Sequence, residues 1–262
     1  MPSKIEPRSD EPAHLISETV GPVMLLTINR ERSANALSPD CLALLNSALD
    51  QAESDSAIRC IVLTGAGERH FCAGADLKAM ASADREKAAA GAREWVGMRL
   101  RKGKPILAAV NGVAVGGGFE LALSCDMIIA APHARFGLPE VKRGLVAGGG
   151  GTRLPRRIPM AIALQMGLTG EMITASRAFE LGLVNIVSAT ADPRPDALEL
   201  ARSIAANAPL AVRATKQLMY EEDGEWNAAH IADVSRPVFG SDDAREGTRA
   251  FVERRPPVFR GR

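Results

Sequence analysis

No pair of cysteines in this 262-residue chain has CxxC spacing, and the four that occur, Cys41, Cys60, Cys72 and Cys125, stand apart in apolar or near-loop stretches. A disulfide framework is not expected; the pattern fits buried free thiols in a reducing compartment. The 4 histidines are scattered, with no HExxH and no Cys/His spacing, so no metal site is expected. No apolar run approaches the roughly 18 residues of a membrane-spanning helix, because Glu120 and Asp126 interrupt the best candidate, and no membrane partner is expected. An excess of one charge is also missing. Lys+Arg 32 against Asp+Glu 31 leaves +1, no footprint for a nucleic acid. The opening MPSKIEPRSDEP lacks an apolar core and reads as a flexible tail over residues 1–12. A cytoplasmic protein is expected.

Familiar glycine signatures are absent as well. Gly65 and Gly67 follow an apolar run, but His70 stands where a dinucleotide fingerprint needs its third glycine, and after Gly116 and Gly118 that position is Leu121. Gly97 to Gly103 is one residue too long for a phosphate loop, and Lys104 is followed by Pro105. No G-x-S-x-G nucleophile elbow occurs.

What is present is an alternation of buried-strand and helix patterns. VMLLTIN (23–29), IRCIVLTG (58–65), PILAAVNG (105–112) and DMIIAAP (126–132) read as strands, and SPDCLALLNSALDQAES (38–54) as a helix opened by Ser38 and Pro39. The spacing predicts an α/β core over 13–190 with strands buried on both faces. Beyond Asp192-Pro193 the pattern is helical only, and 191–262 reads as a helical region that docks on the core or on another subunit.

Chemistry points to three glycine-rich segments. In VNGVAVGGGFELALSC (110–125) three glycines precede a short apolar helix that carries Glu120 in its first turn. Glycines at a helix start let a ligand approach N–H groups that have no intrahelical partner, and such donors stabilise a developing negative charge. In FCAGADLKAM (71–80), Ala73, Gly74 and Ala75 precede Asp76 and Leu77 and repeat that logic. In ARFGLPEVKRGLVAGGGGTRLPRRIP (134–159), Glu140 lies 140 − 120 = 20 residues after Glu120, so both carboxylates could border one cavity. A purely structural account also stands: the glycines allow close packing and both acids face solvent.

Taken together, FCAGADLK, NGVAVGGGFELALSCDMIIAA and FGLPEVKRGLVAGGGGTRLPR resemble the crotonase superfamily, the enoyl-CoA hydratase/isomerase family, and the likeness covers nearly the whole chain. The resemblance implies a spiral of ββα units followed by a C-terminal helical trimerisation region, assembled as a homotrimer or a dimer of trimers. It implies an acyl-CoA thioester substrate, with CoA entering as part of that substrate and no other cofactor. By motif position the N–H groups of Ala75 and Gly117 would form an oxyanion hole, and Glu120 and Glu140 would act as acid and base. Arg30, Arg32 and Ala34 would stand beside the CoA nucleotide and Arg254 near its phosphates. Ala73, Gly74, Asp76, Leu77 and Gly116 complete the expected substrate-binding set.

Both glutamates together imply an enoyl-CoA hydratase, adding water across a 2,3 double bond. The alternatives are a double-bond isomerase using Glu140 alone, a carnitinyl-CoA dehydratase-like enzyme on a branched or bulky acyl group, and a non-catalytic acyl-CoA-binding protein. Leu138 replaces the glutamine, and Val146-Ala147 the Pro-Gly, usual in straight-chain hydratases. GLVAGGGG is closer to members acting on branched, carnitinyl or ring-bearing acyl groups. Met80, Trp95 and Met98 are candidates for the acyl end, though core packing accounts for them equally well. The only tyrosine, Tyr220, lies in the helical region, a poor match for members that use a tyrosine at the reacting carbon.

Overall fold

The computed structural model describes residues 13–76, 100, 103–221 and 227–262. The expected tail over 1–12 and the acyl-end candidates Met80, Trp95 and Met98 lie outside the described residues, as does Leu77. Two sheets organise the core. The larger has the order β1 (Leu15–Val20), β2 (Val23–Ile28), β3 (Cys60–Gly65), β5 (Ile106–Val110), β7 (Met127–Ala130) and β10 (Ile186–Val187). The smaller has the order β4 (His70–Cys72), β6 (Val113–Val115), β8 (Arg135–Gly137) and β9 (Met172–Thr174). Only β1 and β9 pair antiparallel; the other neighbours are parallel. Every residue of β2, β3 and β5 is buried, which is why these strands read as continuous apolar runs.

The chain moves from one sheet to the other within each pass. β3 leads to β4, β5 to β6 and β7 to β8, so each pass leaves one strand in either sheet. Asn111, at the β5–β6 corner, accepts from Gly65 N at 3.1 Å and donates to Gly67 O at 2.7 Å and His70 O at 3.2 Å. One buried amide thus ties two successive corners, a necessary arrangement because buried backbone groups must find partners.

Helix α1 (Pro39–Ser54) starts as its sequence predicts, with Ser38 Oγ accepting from Cys41 N at 3.2 Å. Such a cap contributes about 1 kcal/mol. The chain rises from β6 straight into α2 (Gly117–Ser124), whose residues from Gly118 onward are all buried. Phe119 of α2 meets Phe136 of β8 with ring centroids 5.5 Å apart and planes tilted by 54°, a pairing that adds about 0.5–1.5 kcal/mol beyond area burial. Gly118 leaves no room for a side chain: a Cβ there would lie 2.0 Å from the carbonyl oxygen of Cys72. This contact presses the start of α2 against the end of β4.

Two short helices, α3 (Met160–Thr169) and α4 (Ala175–Glu180), flank β9. After β10 the described elements are helical: α5 (Arg194–Ala205), α6 (Pro209–Glu221), α7 (Ala228–Phe239) and α8 (Asp242–Glu253). The small side chains of Ala197, Ala201 and Ala205 let α5 lie close on the outer face of the larger sheet, against Val23, Leu25, Val62, Leu107 and Ile129. Helix α6 is held by a buried cation. Lys216 Nζ lies 2.8 Å from Asp126 Oδ2 and donates to Leu100 O at 2.7 Å and Lys104 O at 3.0 Å. Tyr220 adds a hydrogen bond to Asp126 Oδ1 at 3.0 Å. Among the described residues no helix is long and apolar enough to cross a membrane, and no group of three His, Cys, Asp or Glu could hold a metal ion.

Candidate active site

The loop after β4 and the loop after β6 meet. Gly74, at φ +90°, is so close to the second loop that a Cβ on it would stand 2.8 Å from Gly117 N and 3.2 Å from Val115 O. Only a glycine takes this conformation and this contact without strain. The 73–76 segment is also fastened on its other side. Leu37 N donates to Gly74 O at 2.8 Å, and Asp76 N donates to Leu37 O at 3.1 Å. Because extended backbone alternates, the N–H of Ala75 between them turns away from Leu37. Gly117 opens α2, where an N–H has no intrahelical acceptor. Among the described residues neither N–H donates within the chain.

Both glutamates border these loops. Glu120, one turn into α2, is only 5% exposed, and its Oε1 accepts from Gly151 N at 2.8 Å. Burial raises its pKa above the ordinary carboxylate value; the Gly151 hydrogen bond opposes this, the nearby charge of Glu140 raises it further, and bonds from Gly149 and Gly150 oppose it weakly. Glu140 stands in a short 3-10 turn, Pro139–Arg143, that Pro139 opens. Its Oε1 comes within 3.3 Å of where a Cβ on Gly116 would be, so this carboxylate lies over the glycine loop. Its Oε2 is buried and has no hydrogen-bond partner among the described residues. The two acids and the two loops therefore occupy one site, at which backbone donors and two carboxylates can act on a single bound molecule.

The basic candidates are placed differently. The guanidinium of Arg30 is internal, 14% exposed, with Nη2 on Asp76 Oδ2 at 2.9 Å and Nη1 on the Ala36 carbonyl. Both arms of this guanidinium are thus engaged within the chain. Arg32 is exposed in the turn Glu31–Ser33, and Ala34 follows it at φ 51°. Arg254 is exposed at the left-handed C-cap of α8, and its side chain makes no hydrogen bond or ion pair among the described residues. Ala73 N donates to Ala34 O at 3.0 Å, and Gly116 N to Gly137 O at 3.0 Å, so both residues build the walls of the loops through their backbone. Sequence reasoning missed the Gly149–Gly151 amides around Glu120. The available signal was four consecutive positions without side chains, Gly148 to Gly151.

A spiral that lays successive strands in two sheets, closed by a helical tail, is the crotonase fold. The chain belongs to the enoyl-CoA hydratase/isomerase family, whose model matches residues 18–262. It is 44% identical to the (E)-benzylidenesuccinyl-CoA hydratase of Thauera aromatica over 253 residues, 91% of this chain and 96% of that protein. It is 40% identical to the carnitinyl-CoA dehydratase of Proteus mirabilis (strain HI4320) over 254 residues, 93% of this chain and 97% of the relative. The crystal structure of enoyl-CoA hydratase from Mycobacterium tuberculosis H37Rv is similar at a TM-score of 0.86 and 43% identity, covering 95% of this chain and 99% of that one.

Proposed function

We propose that this protein hydrates 2-enoyl-CoA thioesters, and catalyses the reverse dehydration, at the site between Glu120 and Glu140. The observation that carries the reading is the meeting of the two carboxylates with the Gly74–Gly117 contact. In this mechanism the N–H groups of Ala75 and Gly117 hold the thioester oxygen. As water attacks C3, electrons move from the double bond onto that oxygen, and each donor contributes about 10²–10³ in rate. Glu120 takes a proton from the water while the C3–O bond forms. Glu140, which must carry a proton when Glu120 is ionised, delivers it to C2 as the enolate collapses, and the proton taken up by Glu120 returns to Glu140 through exchange with solvent. Each transfer contributes about 10²–10⁴. A raised pKa suits Glu120 as the acceptor, since it holds a proton more readily than an ordinary carboxylate. The reaction draws on no cofactor beyond the CoA of the substrate.

For the acyl group we favour a branched or ring-bearing chain. Val146 is 74% exposed and Leu145 54% exposed, an apolar surface just beyond Glu140, and the relatives named for benzylidenesuccinyl-CoA and carnitinyl-CoA fit such groups. The proposed assembly is a homotrimer, alone or paired, which would cover the exposed Phe239 of α7 and Phe251 of α8. The proposed compartment is the cytoplasm, where the four buried thiols stay reduced.

The test follows the loss of conjugated-thioester absorbance with crotonyl-CoA and with bulkier 2-enoyl-CoAs. Turnover that disappears in Glu140→Gln and drops steeply in Glu120→Gln supports hydration. Unchanged rates in both variants reject the site. Conversion of a 3-enoyl-CoA without hydration of any 2-enoyl-CoA makes the chain an isomerase instead.

A further inference from the structure

The segment 34–37 runs beside 73–76 as a short ladder. Its bonds are Ala73 N to Ala34 O at 3.0 Å, Leu37 N to Gly74 O at 2.8 Å and Asp76 N to Leu37 O at 3.1 Å. One strand of this ladder is conformationally unusual: Ala34 and Asn35 are consecutive left-handed residues, at φ 51° and 54°. Non-glycine residues persist there only when their surroundings over-determine them. Two side chains do so. Asn35 is fully buried, accepts from Arg30 N at 3.0 Å and donates to His70 O at 2.7 Å and Ala66 O at 2.9 Å. Arg30 then closes the ladder from its open end, one guanidinium arm on the Ala36 carbonyl and the other on the Asp76 carboxylate at 2.9 Å. The planar fork of an arginine spans both partners at once, which a lysine ammonium does only poorly.

We infer that Arg30 is a positioning residue: by joining Ala36 to Asp76 it sets the direction of the neighbouring Ala75 N–H, and it does not hold the CoA of the substrate. This rests on the hydratase reading, in which that N–H stabilises the enolate. Asp76 follows Ala75 directly, so losing the Arg30 bond removes one restraint on the peptide unit that aims the donor. A misplacement of about 1 Å at such a donor costs about a hundredfold in rate.

The test compares wild type with Arg30→Met, Asp76→Asn and the double variant on an enoyl-CoA that wild type turns over. It also reads the red shift of a saturating, chromophoric 3-aryl-2-enoyl-CoA, which reports how strongly the donors polarise the carbonyl. The expected result is a fall in kcat of about tenfold to a hundredfold, with KM changed by less than about threefold, and a smaller red shift. The double variant should be no worse than the poorer single one, because both disrupt one unit. A KM that rises with kcat and red shift intact, more steeply at higher salt, would instead make Arg30 a phosphate ligand and overturn the inference; so would losses that simply add. If Arg30→Met does not fold, the near-isosteric Asp76→Asn carries the same criteria. The two readings fail separately. Wild type that neither turns over nor shifts any 2-enoyl-CoA overturns the hydratase assignment. Active wild type with an indistinguishable Arg30→Met overturns only the positioning role.

Discussion

Gly151 N and Glu120 Oε1 are 2.8 Å apart across 31 positions of sequence. The hydrogen bond fixes one oxygen of the buried carboxylate and leaves its geometry dependent on a loop that follows the other acid. A Cβ on Gly151 would stand 2.5 Å from the Cβ of Ala147 and 3.0 Å from Leu138 Cδ1, so Gly151→Ala must displace the loop. The expected outcome is a kcat lower by about tenfold to a hundredfold, from a misplaced Glu120. Stability should fall by about 1–3 kcal/mol. Steady-state kinetics and urea denaturation read both, and a variant with wild-type kcat would show that this contact does not hold the acid.

The proton affinity of Glu120 gives a second expectation. The charge of Glu140 is one of the causes that raise its pKa, so Glu140→Gln should move the Glu120 titration downward, followed by NMR of labelled carboxyl carbons. An upward shift or none would mean that the two acids do not sense each other.

The same raised pKa has a consequence for stability. A carboxyl that binds its proton more tightly in the folded chain than in the unfolded one costs stability as pH rises from its unfolded value, about 4.3, through its folded value. Below both values the group is neutral in either state and the cost vanishes. Glu120→Gln should therefore be stabilised relative to wild type at pH 8 more than at pH 4, by chemical denaturation, while activity drops steeply. A relative stability that is independent of pH would contradict the raised pKa.

Two glycine substitutions should act in opposite directions. Gly118→Ala places a methyl 2.0 Å from a main-chain oxygen that cannot yield cheaply, and should lower Tm or prevent folding. Gly167→Ala, within α3, meets nothing within 4 Å and should stabilise by about 0.4–1 kcal/mol. Thermal melts of the two proteins decide the matter.

Strands β2, β3, β5 and β7 of the larger sheet were legible because burial on both faces leaves apolar runs. By contrast, β1 is largely exposed at the sheet edge, and its sequence LISETV carries no such run. The smaller sheet was hard to read for another reason: β4, β6, β8 and β9 are each 3 residues long, too short to show a period. At the site, local composition exposed the glycine loops and both glutamates. It could not show that Arg30 turns inward to Asp76, because the partner lies 46 positions away. Lys216 is similar. Its ammonium is buried against Asp126, 216 − 126 = 90 positions away.

The alanine face of α5 gives the larger sheet its outer cover, and that cover is encoded after the last strand. During synthesis, Val23, Leu25, Val62, Leu107 and Ile129 emerge from the ribosome long before Ala197, Ala201 and Ala205 can reach them. The nascent sheet therefore carries a bare oily side until the chain passes Ala205. A message truncated near that codon would yield an aggregating product rather than a smaller enzyme.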